Sequence, residues 1–106
     1  MVTLKEIEVM LAICRAGSFM GAARDLKSSQ GNVSKVIAAM EKDLGKQLFI
    51  RKSNGVELTA DGEYVRVYAE EIERLTDALQ TFVQTHARVG KRSDPAVLMS
   101  WKDKTA

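Results

Sequence analysis

The stretch that decides the fold runs from Gly17 to Arg51, GSFMGAARDLKSSQGNVSKVIAAMEKDLGKQLFIR. Phe19, Ala22, Ala23 and Leu26 form a short apolar-patterned segment, which Lys27-Ser28-Ser29 breaks. A longer helical pattern follows, with Val33, Val36, Ile37, Met40 and Leu44 on one side. Two helices joined by a turn of about three or four residues are the pattern of a helix-turn-helix, whose second helix enters the DNA major groove. Ala22 and Ala23 are short enough to let two helices cross closely, so they are the expected contact with that second helix. Ser18 and Ser29 stand where N-caps belong.

The first turn after Ser29 holds Gln30, Gly31 and Asn32. Its unpaired N–H groups and the helix dipole favour a phosphate. Gln30 and Asn32 carry amides that can pair bidentately with adenine N6 and N7, and Ser34 and Lys35 add donors at the same end. A polar row is also what any solvated helix face shows, so the surrounding charge matters. The chain carries a net charge of only +2. Residues 27–52 alone hold six Lys and Arg against two Asp and Glu. Residues 60–106 hold seven against eight. Positive charge therefore gathers around the helix-turn-helix, as phosphate binding requires.

Leu44-Gly45 closes the second helix. Leu48-Phe49-Ile50-Arg51 and Val56-Glu57-Leu58 then bracket Ser53-Asn54-Gly55. Asn-Gly between two short apolar runs predicts a hairpin, here a wing. Arg51 and Lys52 are the expected backbone or minor-groove contacts, although an edge-strand lysine also serves to block aggregation.

On the N-terminal side, Leu4, Ile7, Met10 or Leu11, and Cys14 recur at helical spacing from about Thr3 to Arg15, with Thr3 as cap and Gly17 as stop. On the C-terminal side, a helix is predicted from about Ala60 to Val89, with Asp61 and Glu63 at its positive end and Gly62 weakening its first turn slightly. Val65, Tyr68, Ile72, Leu75, Leu79, Phe82 and His86 follow one another at alternating spacings of three and four residues. This is the 3.5-residue period of a two-helix seam. A helix of that length spans about 45 Å at ~1.5 Å per residue. The small domain before it cannot cover so much apolar surface, so a homodimer through this seam is expected. His86 is read as a polar residue at the end of the seam.

The expected organisation is thus 1–59 as DNA-binding domain, 60–89 as linker or dimerisation helix and 90–106 as tail. Gly90 to Pro95 reads as a turn. Asp94 and Pro95 can open one more short helix carrying Trp101, and a frayed tail is the other reading. No apolar run approaches the ~20 residues of a membrane span, and no signal peptide opens the chain. The single cysteine, Cys14, cannot form an internal disulfide, which fits a reducing cytoplasm. One Cys and one His far apart, with no glycine-rich phosphate loop, paired carboxylates or metal cluster, give no catalytic residue, cofactor or metal site. An enzyme is therefore not expected.

These residues also carry a resemblance. Gly17-Ser18-Phe19, Ala22-Ala23, Leu26, Ser29-Gln30, Ser34, Glu41, Leu44-Gly45, Leu48-Phe49, Arg51, Leu58-Thr59 and Gly62 stand in a pattern similar to the N-terminal DNA-binding domain of LysR-type transcriptional regulators. The resemblance implies a mainly α winged helix-turn-helix, three helices plus a two-stranded wing, followed by a long dimerisation helix. It implies a dimer that reads an interrupted palindrome in double-stranded DNA, with Gln30, Ser34 and Lys35 at the major groove and Arg51 and Lys52 on the wing near phosphates. Ser29, Gly31 and Asn32 join the expected DNA-binding set from their place at the start of the recognition helix. A cytoplasmic, nucleoid-associated regulator follows.

Several positions depart from the family. Gly31 replaces the usual proline, which leaves the helix start less pre-organised. Asn32 replaces a small apolar residue, Ser28 an apolar one, and Lys35 the more common arginine. Family members normally continue into a domain that senses a small molecule. The chain is read here as either an excised fragment or a naturally short regulator without that effector domain, with the second reading preferred and control then coming from its level or a protein partner. The alternative function is an interaction protein that forms mixed dimers with full-length relatives and antagonises them, motivated by Gly31 and Ser28 loosening the reading head.

Overall fold

A computed structural model describes residues 1–89, with side chains as far as Thr85. Thr3 opens the first helix, α1 (Leu4–Ala16), through a reciprocal cap with Glu6. The Thr3 hydroxyl accepts from the Glu6 N–H at 3.1 Å, and the Glu6 carboxylate accepts from the Thr3 N–H at 3.0 Å. Two backbone donors that the helix cannot satisfy are thereby paired, which accounts for a buried glutamate here. Gly17, at φ +78°, ends α1 in the left-handed region. Ser18 caps α2 (Phe19–Asp25) by accepting from the Gly21 N–H.

Between α2 and the third helix, α3 (Gln30–Leu44), the chain reverses within four residues. Lys27 takes φ +55° there, and the Ser28 N–H reaches back to the Ala23 carbonyl at 2.8 Å. Ser29 caps α3 by accepting from the Asn32 N–H at 3.0 Å, and Gly45 closes it at φ +68°.

The core lies where α1, α2 and α3 meet. Met10 and Ile13 of α1, Ala22 of α2 and Met40 of α3 are wholly buried. Ala23, Val33 and Ile37 complete this contact, so the small pair on α2 does sit against the helix that follows. The α1 stripe is wider than its sequence spacing suggests. It takes in Val9 and Ile13, is centred on Met10, and leaves Leu4 outside at 65 % exposure. At 100° per residue Leu4 lies about 120° from Met10, just past the edge of the buried arc.

Two short strands, β1 (Phe49–Lys52) and β2 (Gly55–Leu58), pair antiparallel with Phe49 opposite Leu58 and Lys52 opposite Gly55. The loop is Ser53-Asn54, one residue earlier than the Asn-Gly expectation. Neither loop residue takes a positive φ. Gly55 instead belongs to β2, at φ +143°, and a side chain on it would meet the Gly17 carbonyl at 2.7 Å. The Val56 N–H donates to that same carbonyl at 3.2 Å. The glycine therefore serves the docking of the wing on the α1–α2 corner rather than the turn itself.

Thr59 joins wing to the fourth helix, α4 (Ala60–Val89). Its hydroxyl accepts from the Gly62 N–H at 2.9 Å and donates to the Gln47 carbonyl at 2.6 Å, while its N–H donates to the Leu48 carbonyl at 2.9 Å. Gly62, expected only to weaken the helix, has a packing role. A Cβ there would lie 2.2 Å from the Leu48 carbonyl oxygen. Ala69 of α4 is wholly buried and Val65 packs on the core. Arg15 at the end of α1 forks onto both carboxylate oxygens of Glu73. Met1–Glu73 forms one compact unit, and α4 from Arg74 onward belongs to a second. In the latter, Leu75, Leu79 and Phe82 are each more than half exposed. The expected turn at 90–95 and the short helix with Trp101 lie outside the described residues. No helix among the described residues is long and apolar enough to cross a membrane.

Candidate nucleic-acid interface

The exposed arc of α3 begins at its first turn. Gln30, Gly31, Asn32 and Lys35 are all exposed, and Ser34 is half-buried. Helical rotation splits these residues into two edges. Gln30 and Ser34 lie on the edge facing the wing. Asn32 and Lys35 lie towards the opposite edge. The buried side of α3, Val33, Ile37 and Met40, fixes this orientation against the core.

The wing edge is tightly organised. Arg51 donates to the Ser34 hydroxyl, and its guanidinium carbon lies 3.8 Å from the centre of the Phe19 ring. Phe19 in turn meets Phe49 edge-to-face at 5.8 Å. One arginine thus ties α2, α3 and β1 together. Its planar cation suits both stacking and phosphate recognition. An open groove of about 390 Å³ runs between the helices and the wing, lined by Met20, Gln30, Arg51, Lys52 and Asn54 among others. Lys52 is exposed, but its ammonium pairs with Glu57 across the hairpin at 3.0 Å. A phosphate would compete with that carboxylate for it.

Glu41 is a residue whose role the spacing alone does not reveal. Its carboxylate accepts from the Leu48 N–H at 2.7 Å and the Phe49 N–H at 3.3 Å. Charge-assisted bonds of this kind stabilise by about 1.5–3 kcal/mol each, so α3 holds the base of the wing directly. Glu41 is one of only two acids, with Asp43, in the basic stretch 27–52, which is the signal the sequence offers. A second unanticipated contact joins Asn32 and Ser28, the former donating from Nδ2 to the hydroxyl of the latter at 2.9 Å. Ser28 precedes the extended cap residue Ser29 and lies outside the helix, so the contact is made across the helix start rather than along one helical face.

The expected seam residues are distributed unevenly. Tyr68, Ile72, Leu75, Leu79 and Phe82 are exposed, whereas Val65 is half-buried against its own core and Tyr64 is 66 % exposed in its place. The Tyr64 and Tyr68 hydroxyls lie 3.3 Å apart. His86 lies within α4, and its side chain is outside the described set. Burial pushes the Cys14 thiol up, with Arg66 opposing it, so Cys14 stays a protonated packing residue. Among the described residues no group of three or more potential metal ligands comes together.

Residues 4–63 match the sequence profile of the bacterial regulatory helix-turn-helix proteins of the lysR family. The chain is 35 % identical over 92 residues to the HTH-type transcriptional regulator MetR of Buchnera aphidicola, covering 86 % of this chain and 30 % of MetR. It is 36 % identical over 90 residues to GltR of Bacillus subtilis, covering 85 % and 28 %. The chain therefore spans about 30 % of the length of the curated relatives it matches. Among solved structures it is similar to the DNA-binding domain of CbnR in a DNA complex, with a TM-score of 0.74, 29 % identity, and coverage of 81 % of this chain and 99 % of that one. The BenM domain bound to catB site 1 DNA gives 0.76 at 28 % identity, covering 81 % and 97 %. With a winged helix-turn-helix fold and a profile match across more than half its length, the chain belongs to the LysR family of bacterial regulatory helix-turn-helix proteins.

Proposed function

We propose that this chain is a sequence-specific, double-stranded DNA-binding transcriptional regulator that acts as a homodimer. The observation that carries the reading is the exposed first turn of α3, held in fixed relation to a cationic wing by Arg51 and Glu41. On this reading α3 enters the major groove. Gln30, Asn32, Ser34 and Lys35 face base edges, while the N–H groups after Ser29 and at Gly31 face phosphate. Arg51 and Lys52 approach the backbone or minor groove. Similar domains of CbnR and BenM are seen in complexes with DNA, which supports the assignment.

Dimerisation is proposed through α4. Tyr68, Leu75 and Leu79 are each more than half exposed at a seam-like spacing. Apolar side chains in that arrangement are stabilised by a second apolar helix, and a second copy of this chain supplies one. Two copies at a fixed separation would read an interrupted palindrome. The same seam would accept a relative's helix, giving the mixed-dimer antagonist. That second reading rested on a loosened recognition helix. The cap of α3 is nevertheless made, and Ser28 is engaged by Asn32, so homodimeric DNA binding is favoured.

The test is quantitative binding to a selected operator at stated salt. Lys35→Ala and Gln30→Ala should each weaken specific binding by about 1–3 kcal/mol per lost base contact. Equal affinity of both variants and the parent for the operator would defeat the assignment.

A further inference from the structure

We propose that Ser28 and Asn32 form a specificity-determining pair, in which Ser28 positions the Asn32 amide to read one adenine in each half-site. This rests on the DNA-binding reading above and names a determinant within it.

Asn32 sits in the exposed first turn of α3, on the edge away from the wing. It is held twice. Its backbone N–H donates to the Ser29 hydroxyl at 3.0 Å, and its side-chain nitrogen donates to the Ser28 hydroxyl at 2.9 Å. Ser29 already caps the helix, so the Ser28 hydroxyl is not needed for that task. Ser28 is also exposed, so burial does not require the bond either. What the bond does is restrict the amide.

An asparagine amide has two N–H donors and one carbonyl acceptor. Ser28 occupies one donor. One N–H and Oδ1 remain, and they match the N7 acceptor and N6 donor of adenine. Guanine presents two acceptors at that edge and cytosine only a donor, so neither satisfies both atoms. A side chain already held in place loses less rotamer freedom on binding, which strengthens discrimination. The contact needs both an amide at position 32 and a hydroxyl at position 28, so an apolar side chain at either would remove it.

The experiment uses the full chain and selection from a random duplex pool at fixed salt. It is followed by binding to a panel carrying each base pair at each position. The parent is expected to prefer adenine at one position per half-site. Asn32→Ala should lose that preference by about tenfold or more, with other positions unchanged. Ser28→Ala should lower it several-fold at the same position, and Ser28→Thr, which keeps the hydroxyl, should retain it. The double alanine variant should match Asn32→Ala alone, because the serine acts through the asparagine. Thermal midpoints of all variants distinguish a cap from a reader, since a purely structural role moves the midpoint and leaves base preference alone. An unchanged preference in Asn32→Ala, or in Ser28→Ala, overturns the pair while leaving DNA binding intact. If the parent enriches no sequence, the DNA-binding reading fails and the pair with it.

Discussion

The two longest helices bear opposite kinds of surface. α3 buries the centre of its apolar face, with Val33, Ile37 and Met40 all at 2 % exposure or less and Val36 and Leu44 half-buried, and leaves polar and cationic residues outside. α4 from Tyr64 onward leaves Tyr68, Leu75 and Leu79 more than half exposed. A helix that has spent its apolar residues internally is free to meet a polar, charged partner. One that keeps them exposed is built to meet another apolar face. The difference supports the proposal that these two surfaces meet different kinds of partner, one polar and charged, the other apolar.

The strongest way to sharpen the contrast is truncation on each helix. Met40→Ala removes a wholly buried side chain and should cost about 2–5 kcal/mol in denaturant unfolding. Leu79→Ala, at an exposed position, should change the stability of dilute, monomeric protein by less than ~0.5 kcal/mol. Similar losses at both positions would erase the distinction. Next in size is Gly62→Ala. The Leu48 carbonyl stands 2.2 Å from where the new Cβ would lie, so a loss of about 1–3 kcal/mol is expected, read as a lowered unfolding midpoint.

Charge placed on the exposed row tests the other half. Leu75→Asp together with Leu79→Asp should weaken self-association at least about tenfold in sedimentation while leaving the helical circular dichroism of the dilute chain intact. Undiminished association would assign the row to some other role.

The smallest expected effect concerns the Arg15–Glu73 pair. The bond from Arg15 holds the Glu73 carboxyl below its ordinary range. A carboxylate with a depressed folded-state pKa stabilises the protein above its unfolded value, and that contribution disappears as pH falls through the folded value. Stability from this pair is therefore full at neutral pH and lost in acid, below the usual glutamate range. Both groups are solvent-accessible, so the amount is under ~1 kcal/mol and falls with salt. Glu73→Gln should flatten that part of the acid limb, and an unaltered limb would show that the pair contributes nothing.

Much of the fold was legible because its signals are local. Thr3, Ser18 and Ser29 cap where their side chains can reach the next turn, and Gly17 and Gly45 stop helices where φ is positive. Heptad spacing gave the extent of α4. What local signals could not supply were contacts made across the chain. Gly55 reads as a turn glycine until the Gly17 carbonyl is seen beside it. Gly62 reads as a weak helix former until the Leu48 carbonyl is placed over it. Val65 fits the heptad row as well as its neighbours do, and only the core packing reveals that it faces its own domain. At the candidate interface Gln30, Gly31, Asn32, Lys35, Arg51 and Lys52 are exposed and Ser34 is half-buried. Their engagements, Arg51 with Ser34, Lys52 with Glu57 and Asn32 with Ser28, depend on side-chain geometry that spacing does not encode.

The most direct test of a dimeric DNA reader is selection of bound duplexes by the intact chain from a random pool at physiological salt, since affinity depends steeply on ionic strength. The expected result is an enriched interrupted palindrome whose two half-sites are bound together. Enrichment of a single unpaired half-site, or of no sequence at all, would contradict it.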